Sequence, residues 1–476
     1  MATENRRTAV LLVGAVLLCA SQAPLMGFDD CNGNQIDDAL DVLPGDPTFA
    51  APVYYTTPNQ SLRMVIGDID GQNGPDVAVG STAESLVSVF LNNGDGTLSG
   101  PTSYDVNSDC WDVIFADLNN DLHPDMVATN TGEYPSYVGE VSVFLNNGDG
   151  TFGTPVHYAT LINSRSVAAG HLNADAYLDL VVGNGDTETQ AGGISILLNN
   201  GDGSFAPAVN YEGGALAVVV EDFDRDGNAD VASSNGGCCV SVRLGNGDGT
   251  LQPQVGYSGS GAGVGTLKAA DVDGVNGVDL FMPSQFADHV SVILNNGDGT
   301  FGAPLTYDLE VANTQYMTYT DVDGDGDPDF AVCDGYGGTS SLSIMRNDGS
   351  AGFYDQFHTP LPGTPRADAA GDLDGDGDPD VVVSVHGDPY RLAVLMNETM
   401  PPYSHDCNGN GVPDECECPG DINHDCTRNL SDLAQLLANY GTTTGAIYED
   451  GDMDGDGDVE LSDLAALLAV YGQPCP

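Results

Sequence analysis

From Phe49 to Met396 the chain alternates short apolar runs with polar, glycine-rich turns, and the runs come in fours. In the third set they are Phe152–Tyr158, Ser166–Ala169, Leu178–Gly183 and Ile194–Leu198. Their brevity, their alternation and their β-branched residues predict strands. The third run of each set flows into a second phrase, written Phe90-Leu-Asn-Asn-Gly-Asp-Gly-Thr97 in its first copy and returning at Phe144, Leu197, Arg243, Ile293 and Met345. Asn-Gly and Asp-Gly between apolar runs predict a hairpin turn, because glycine accepts positive φ. The strand beyond it carries Phe or Leu, then Pro, then Tyr, as in Phe301, Pro304 and Tyr307. Proline belongs on an edge strand, so this is the outer one of four.

Between the first and second runs lies a nine-residue acidic phrase, cleanest in Asp372-Leu-Asp-Gly-Asp-Gly-Asp-Pro-Asp380. Its copies begin at Asp68, Asp117, His171, Asp222, Asp271, Asp321 and Asp372, at steps of 49, 54, 51, 49, 50 and 51 residues. A fixed period near fifty predicts a repeat array, and a propeller is the β-rich architecture at that length. The array starts in an outer strand, Phe49…Pro52…Tyr54, and ends in a third strand, Leu392–Met396. The seventh blade therefore takes its outer strand from the N-terminus, and the ring closes without an open edge.

Acidic residues at positions 1, 3, 5 and 9 with glycine at 6 are the pattern of a calcium loop: hard oxygen donors converge and the glycine takes the sharp bend. The candidate ligands are Asp68, Asp70 and Asp76 in blade one; Asp117, Asn119, Asp121 and Asp125 in blade two; and Asp222, Asp224, Asp226 and Asp230 in blade four. Blade five offers Asp271, Asp273 and Asp279, blade six Asp321, Asp323, Asp325 and Asp329, and blade seven Asp372, Asp374, Asp376 and Asp380. By ligand content blades four, six and seven rank first, then two, then one and five. Blade three, with His171 at position 1 and Ala176 at position 6, ranks last.

Charge sharpens this picture. The chain has 71 Asp and Glu against 11 Lys and Arg, a formal net charge of -60. That excludes nucleic acid, which needs a basic footprint, and an anionic membrane surface. Residues 1–27, with Arg6, Arg7 and the apolar Ala9–Ala20, read as a signal peptide, so the product is expected to be secreted, extracellular or periplasmic, without membrane insertion. Residues 28–48 form an acidic linker.

Residues 49–399 resemble the FG-GAP (VCBS) repeats of seven-bladed propellers in integrin α-subunits and secreted bacterial proteins. The resemblance rests on loops such as Asp321-Val-Asp-Gly-Asp-Gly-Asp-Pro-Asp329 and on the Asn-Gly-Asp-Gly-Thr-Phe turns. It implies calcium in the loops and interaction surfaces on the ring faces, and no reaction.

Beyond residue 400 the period breaks. Asp30-Cys-Asn-Gly-Asn-Gln-Ile-Asp-Asp38 and residues 406–414 share the loop pattern and resemble thrombospondin type 3 calcium repeats, the second within a 400–418 linker. The first also reads as a polar linker with a stray Cys. Residues 419–476 contain two aligned copies of a loop and a short helix, 31 residues apart, and resemble a type I dockerin. Asp421, Asn423, Asp425, Asn429 and Asp432 match its first metal set, and Asp452, Asp454, Asp456, Glu460 and Asp463 its second. That implies a cohesin-like domain or cell-surface protein as partner. Leu437 and Leu468 are core or contact residues, with core expected. Cys418 and Cys475 are expected to form a disulfide, and the pairing of Cys407, Cys416 and Cys426 stays open.

The expected fold is mainly β, a seven-bladed β-propeller followed by a small α-helical calcium-binding domain. No nucleophile elbow, zinc-binding His-Glu-x-x-His helix or phosphate loop is present, so no enzyme is expected. The expected function is binding, adhesion or scaffolding. The alternative is a lectin or enzyme of a polysaccharide-degrading system, with a glycan as ligand.

Overall fold

The computed structural model describes residues 47–57, 60–132, 137–185, 192–235, 239–258, 266–284, 288–309, 314–334, 340–399, 430–441, 459 and 461–471. Two units are distinguished, residues 44–402 and a second made of 1–43 with 403–476.

The larger unit is a ring of seven four-stranded antiparallel sheets. In blade one the strands run Ser61–Gly67 (innermost), Asp76–Ser81, Leu86–Phe90 and Thr102–Asp105 (outermost), and the next five blades repeat that order. The seventh combines Thr364–Gly371, Asp380–His386 and Arg391–Leu395 with Val53–Thr56 from the chain's beginning. The register is Val53 to Val394, Tyr54 to Ala393, Tyr55 to Leu392 and Thr56 to Arg391. This is the closure expected from counting strand types.

Burial follows position in the blade. The second strand is covered on both faces by its neighbours, so Asp76–Ser81 and Asp125–Asn130 are buried at every residue, with apolar centres at Val77–Val79 and Met126–Ala128. The outer strand is exposed except at its tyrosine. No blade has a core of its own. Seven apolar clusters lie one at each junction between neighbours, for example Val77, Phe90, Leu98, Leu373, Val382 and Leu392 joining blades one and seven. The outer-strand tyrosines latch these junctions. The Tyr55 hydroxyl accepts from the Leu98 amide at 2.9 Å, and Tyr211 from Leu251 at 3.0 Å. The Tyr104 and Tyr158 rings meet Phe152 and Phe205 of the next blade edge to face.

In the second unit the described elements are helices α1 (Leu430–Asn439) and α2 (Leu461–Val470). Leu436 and Leu467 are fully buried with Val459, and Leu433 and Leu464 pack beside them. Gly441, at φ +97°, caps α1 and donates to the Val459 carbonyl at 2.8 Å. Leu437 and Leu468 are 52% and 55% exposed, which corrects the expectation of core. Each lies one residue, about 100° of helix, past the buried leucine and so faces away from the pair. The signal peptide, both thrombospondin-like segments, the proposed Cys418–Cys475 bridge, and Asp421, Asn423, Asp425, Asn429, Asp452, Asp454, Asp456 and Glu460 lie outside the described residues, as do the side chains of Asp432 and Asp463.

Candidate metal centres

Each acidic loop joins an innermost strand to the second strand of its blade, and position 9 is that strand's first residue. The seven position-9 aspartates, Asp76, Asp125, Asp179, Asp230, Asp279, Asp329 and Asp380, are buried. Each uses both carboxylate oxygens on the backbone. One accepts the position-2 amide, from Ile69 through Leu373, at 2.8–3.2 Å. The other accepts the amide that ends the third strand, from Asn92 through Asn397, at 2.7–2.8 Å.

The asparagine at that strand end ties blade to blade. The Asn92 amide donates to the Leu373 carbonyl of the preceding blade at 2.7 Å, and Asn146, Asn199, Asn295, Asn347 and Asn397 repeat the bond on Ile69, Leu118, Phe223, Val272 and Val322. Blade four has Gly245 there, and the Gly249 amide donates to Leu172 instead, at 2.8 Å. Sequence reading took this phrase for a turn alone. The missed signal was its first asparagine, which a hairpin does not require yet which recurs in six of the seven blades.

Inside the loops, the position-1 carboxylate accepts the position-6 amide, as Asp222 does from Gly227 and Asp372 from Gly377. Position 6 is left-handed: φ is +90° at Gly227 and +102° at Gly377. Blade two forces Leu122 into the same region, at +71°, with its side chain 87% exposed. A β-carbon there costs about 1–2 kcal/mol. Leu122→Gly is therefore expected to raise stability by about 1 kcal/mol in a denaturant titration, and a loss of stability would refute the strain argument.

Among the described residues, carboxylates gather in five loops. Asp68, Asp70 and Asp76, Asp222, Asp224 and Asp230, Asp271, Asp273 and Asp279, and Asp372, Asp374 and Asp380 each present oxygens within 4.8 Å of one another. Blade six gathers Asp321, Asp323 and Asp325, with Asp329 outside the group. Oxygens on opposite sides of a calcium ion stand about 5 Å apart, so these groups fit that ion. Asp226 and Asp376 sit outside the groups, their carboxylates accepting the amides of Asn228 and Asp378. Blade five gathers its carboxylates although Val275 holds position 5. Among the described residues, Asp117, Asp121 and Asp125 of blade two form no such group, and Asn119 donates to Asp121 at 2.9 Å. In blade three His171 is bound to the Tyr177 carbonyl. Blade six differs again. Arg346 stands where the other blades carry Leu or Met, and its Nη1 lies 3.6 Å from Asp323, both side chains buried.

Burial, against the opposing backbone bonds, pushes Asp76, Asp125, Asp230, Asp279 and Asp380 up to about 6 and Asp329 to about 8. Nearby loop carboxylates push the same way. A carboxylate raised in the folded state binds protons more readily there than in the unfolded chain, so it contributes destabilisation that appears as pH rises through the folded pKa. The metal-free ring is expected to melt higher at pH 5 than at pH 7.5, while the increment from added calcium is smaller at pH 5, where protons compete for the same carboxylates. Scans with and without chelator at both pH values check this; a metal-free ring that melts lower at pH 5 contradicts it.

The profile of the FG-GAP-like repeat matches residues 68–128, 171–233 and 321–383. The chain carries FG-GAP-like repeats in a seven-bladed propeller. Each matched segment starts at position 1 of an acidic loop, in blades one, three and six. No curated protein matches. Among solved structures, the ring is similar to BBS1N in crystals of its complex with ARL6DN. One, soaked with lead, has TM-score 0.52 and 12% identity, over 74% of this chain and 98% of that one. The other, soaked with mercury, has TM-score 0.51 at the same identity and coverage. A lectin from Agrocybe aegerita that recognises non-reducing terminal N-acetylglucosamine is 23% identical over 65% of this chain and 82% of its own, with TM-score 0.45. These likenesses concern the fold.

Proposed function

We propose that the FG-GAP ring is an exported, calcium-stabilised binding module that works without catalysis and is tethered by a dockerin-like tail. The observation that supports it most is the gathering of three carboxylates in each of five acidic loops, on a protein whose charge a cation would offset. Filled loops pin innermost to second strands, and the face loops present the contact surface. A protein or a glycan is the ligand class; BBS1N, similar in fold, was crystallised in complex with ARL6DN. Two short helices sharing three buried residues, Leu436, Val459 and Leu467, support a tail that needs its metals to persist. The exposed Leu437, Tyr440, Leu468 and Tyr471 give it an apolar face for a cohesin-like partner. Among the described residues no helix is long and apolar enough to cross a membrane.

The test is capture from the native exported fraction by the full-length protein, with and without calcium. Asp421→Ala combined with Asp452→Ala serves as the control. Recovery that needs calcium and is lost in the double variant is the expected result. Identical recovery by both proteins would end the docking reading, and release of soluble sugar from polysaccharide would end the non-catalytic one.

A further inference from the structure

Blade six carries the full acidic phrase, Asp321, Asp323, Asp325 and Asp329 with Gly326 at position 6, as blades four and seven carry theirs. Its loop is built differently. In the other six blades the position-3 side chain accepts the position-5 amide: Asp70 from Gln72, Asn119 from Asp121, Asn173 from Asp175, Asp224 from Asp226, Asp273 from Val275 and Asp374 from Asp376, at 2.7–3.3 Å. In blade six the Asp325 amide donates to Asp321 instead, at 3.1 Å. Asp323 is 1% exposed, whereas position 3 of every other blade is half-buried or exposed. Neither of its oxygens has a hydrogen-bond partner among the described residues. Burying such a carboxylate is costly unless a cation offsets it.

The cation present is Arg346, whose Nη1 stands 3.6 Å from Asp323 Oδ2. The guanidinium also lies over two rings of the same blade's outer strand, Tyr354 at 5.3 Å and Phe357 at 5.1 Å. Aromatic faces suit the flat, delocalised charge of arginine. The neighbouring blade explains why an arginine is tolerated here. Elsewhere the residue is Leu or Met and meets a turn glycine of the next blade, as Leu91 does at Gly150 and Leu145 at Gly203. Blade seven follows blade six, and its phrase reads Asn397-Glu398-Thr399, so no such glycine calls for a short aliphatic side chain at 346.

The metal group differs as well. Positions 1, 3 and 9 gather in blades one, four, five and seven, but positions 1, 3 and 5 gather in blade six. An ion held by Asp321, Asp323 and Asp325 would lie beside a guanidinium that already neutralises one of its three carboxylates. Two positive charges that close repel each other, and calcium affinity follows the charge its ligands supply.

We propose, on the reading that these loops take calcium, that Arg346 is a built-in counter-cation of the sixth loop. It competes with calcium for Asp323, so blade six fills at higher calcium than blades four and seven despite its complete acidic set. When calcium is scarce, the arginine offsets the buried carboxylate in the ion's stead.

Equilibrium dialysis of the full-length protein against radiolabelled calcium tests it, at a free concentration where the tightest class of sites is full. Arg346→Leu, which installs the residue most other blades carry, should add one ion to that class. The affinity of the sixth site should rise by about tenfold or more, as removal of a unit charge beside the ion requires. Adding Asp321→Ala to that variant should remove the gained ion. With the arginine intact, Asp372→Ala should cost the tight class one ion and Asp321→Ala none, a comparison that does not depend on how well Arg346→Leu folds. An unchanged count in folded Arg346→Leu, or an ion lost on Asp321→Ala alone, would overturn the role of Arg346 and leave calcium in the other loops standing. No calcium bound by any of these proteins would overturn both.

Discussion

Removing residues 28–56 opens the ring. Blade seven then lacks its outer strand, and Arg391–Leu395 becomes a bare edge. The deletion also removes the bonds from the Ala50 amide to Met396 at 2.9 Å and from the Thr48 amide to the Thr399 hydroxyl at 2.9 Å. Tyr55, which packs on Phe90 and accepts from Leu98, goes with it and loosens the junction between blades one and seven. In a closed ring each junction supports its neighbours, so losing one weakens two blades. A loss of about 5 kcal/mol lowers melting by roughly 10 °C in a domain this large. The exposed edge should also drive self-association. Melting and sedimentation of the truncated protein measure both, and a stable monomer would refute closure.

The second large effect is expected at Asp380. Asp380→Ala deprives two buried amides, those of Leu373 and Asn397, of their acceptors. Each orphaned group costs about 1–3 kcal/mol, so the loss should be about 3–5 kcal/mol. Asp374 is a different case. Its carboxylate accepts one backbone bond, from the Asp376 amide, and its side chain is exposed. Asp374→Ala should destabilise mainly when calcium is present, and by more than Asn173→Ala in blade three. The Asp380→Ala loss should persist in chelator, because it comes from the backbone. An Asp380→Ala loss that disappears in chelator, as that of Asp374→Ala should, would contradict this backbone role.

The repeat period, the strand order and the closure were legible because a single periodic pattern encodes all three. Fixed spacing of the acidic loops set the blade count, and the Phe–Pro–Tyr run marked the outer strand. The same loops marked where carboxylates would gather, but ligand content did not decide which would. Blade five gathers three despite Val275, while blade two, richer in ligand types, holds Asn119 against Asp121. A position label also cannot show that each position-9 aspartate is engaged by two backbone amides. The asparagine clamps bridge residues 72 to 281 apart. Such meetings depend on ring geometry, which leaves no local pattern. Leu437 shows the same limit at smaller scale, since an apolar stripe on a ten-residue helix does not say which edge its short partner covers.

The central claim is that the acidic loops take calcium and that the metal holds the ring together. Melting of the full-length protein at pH 7.5, scanned in chelator and then in increasing calcium, tests it most directly. A ligand bound only to the folded state raises stability with the logarithm of its free concentration above Kd. The account predicts a melting temperature that climbs with calcium, and a smaller climb when Asp374 is replaced by Ala. A ring that melts at the same temperature in chelator and in saturating calcium would contradict it.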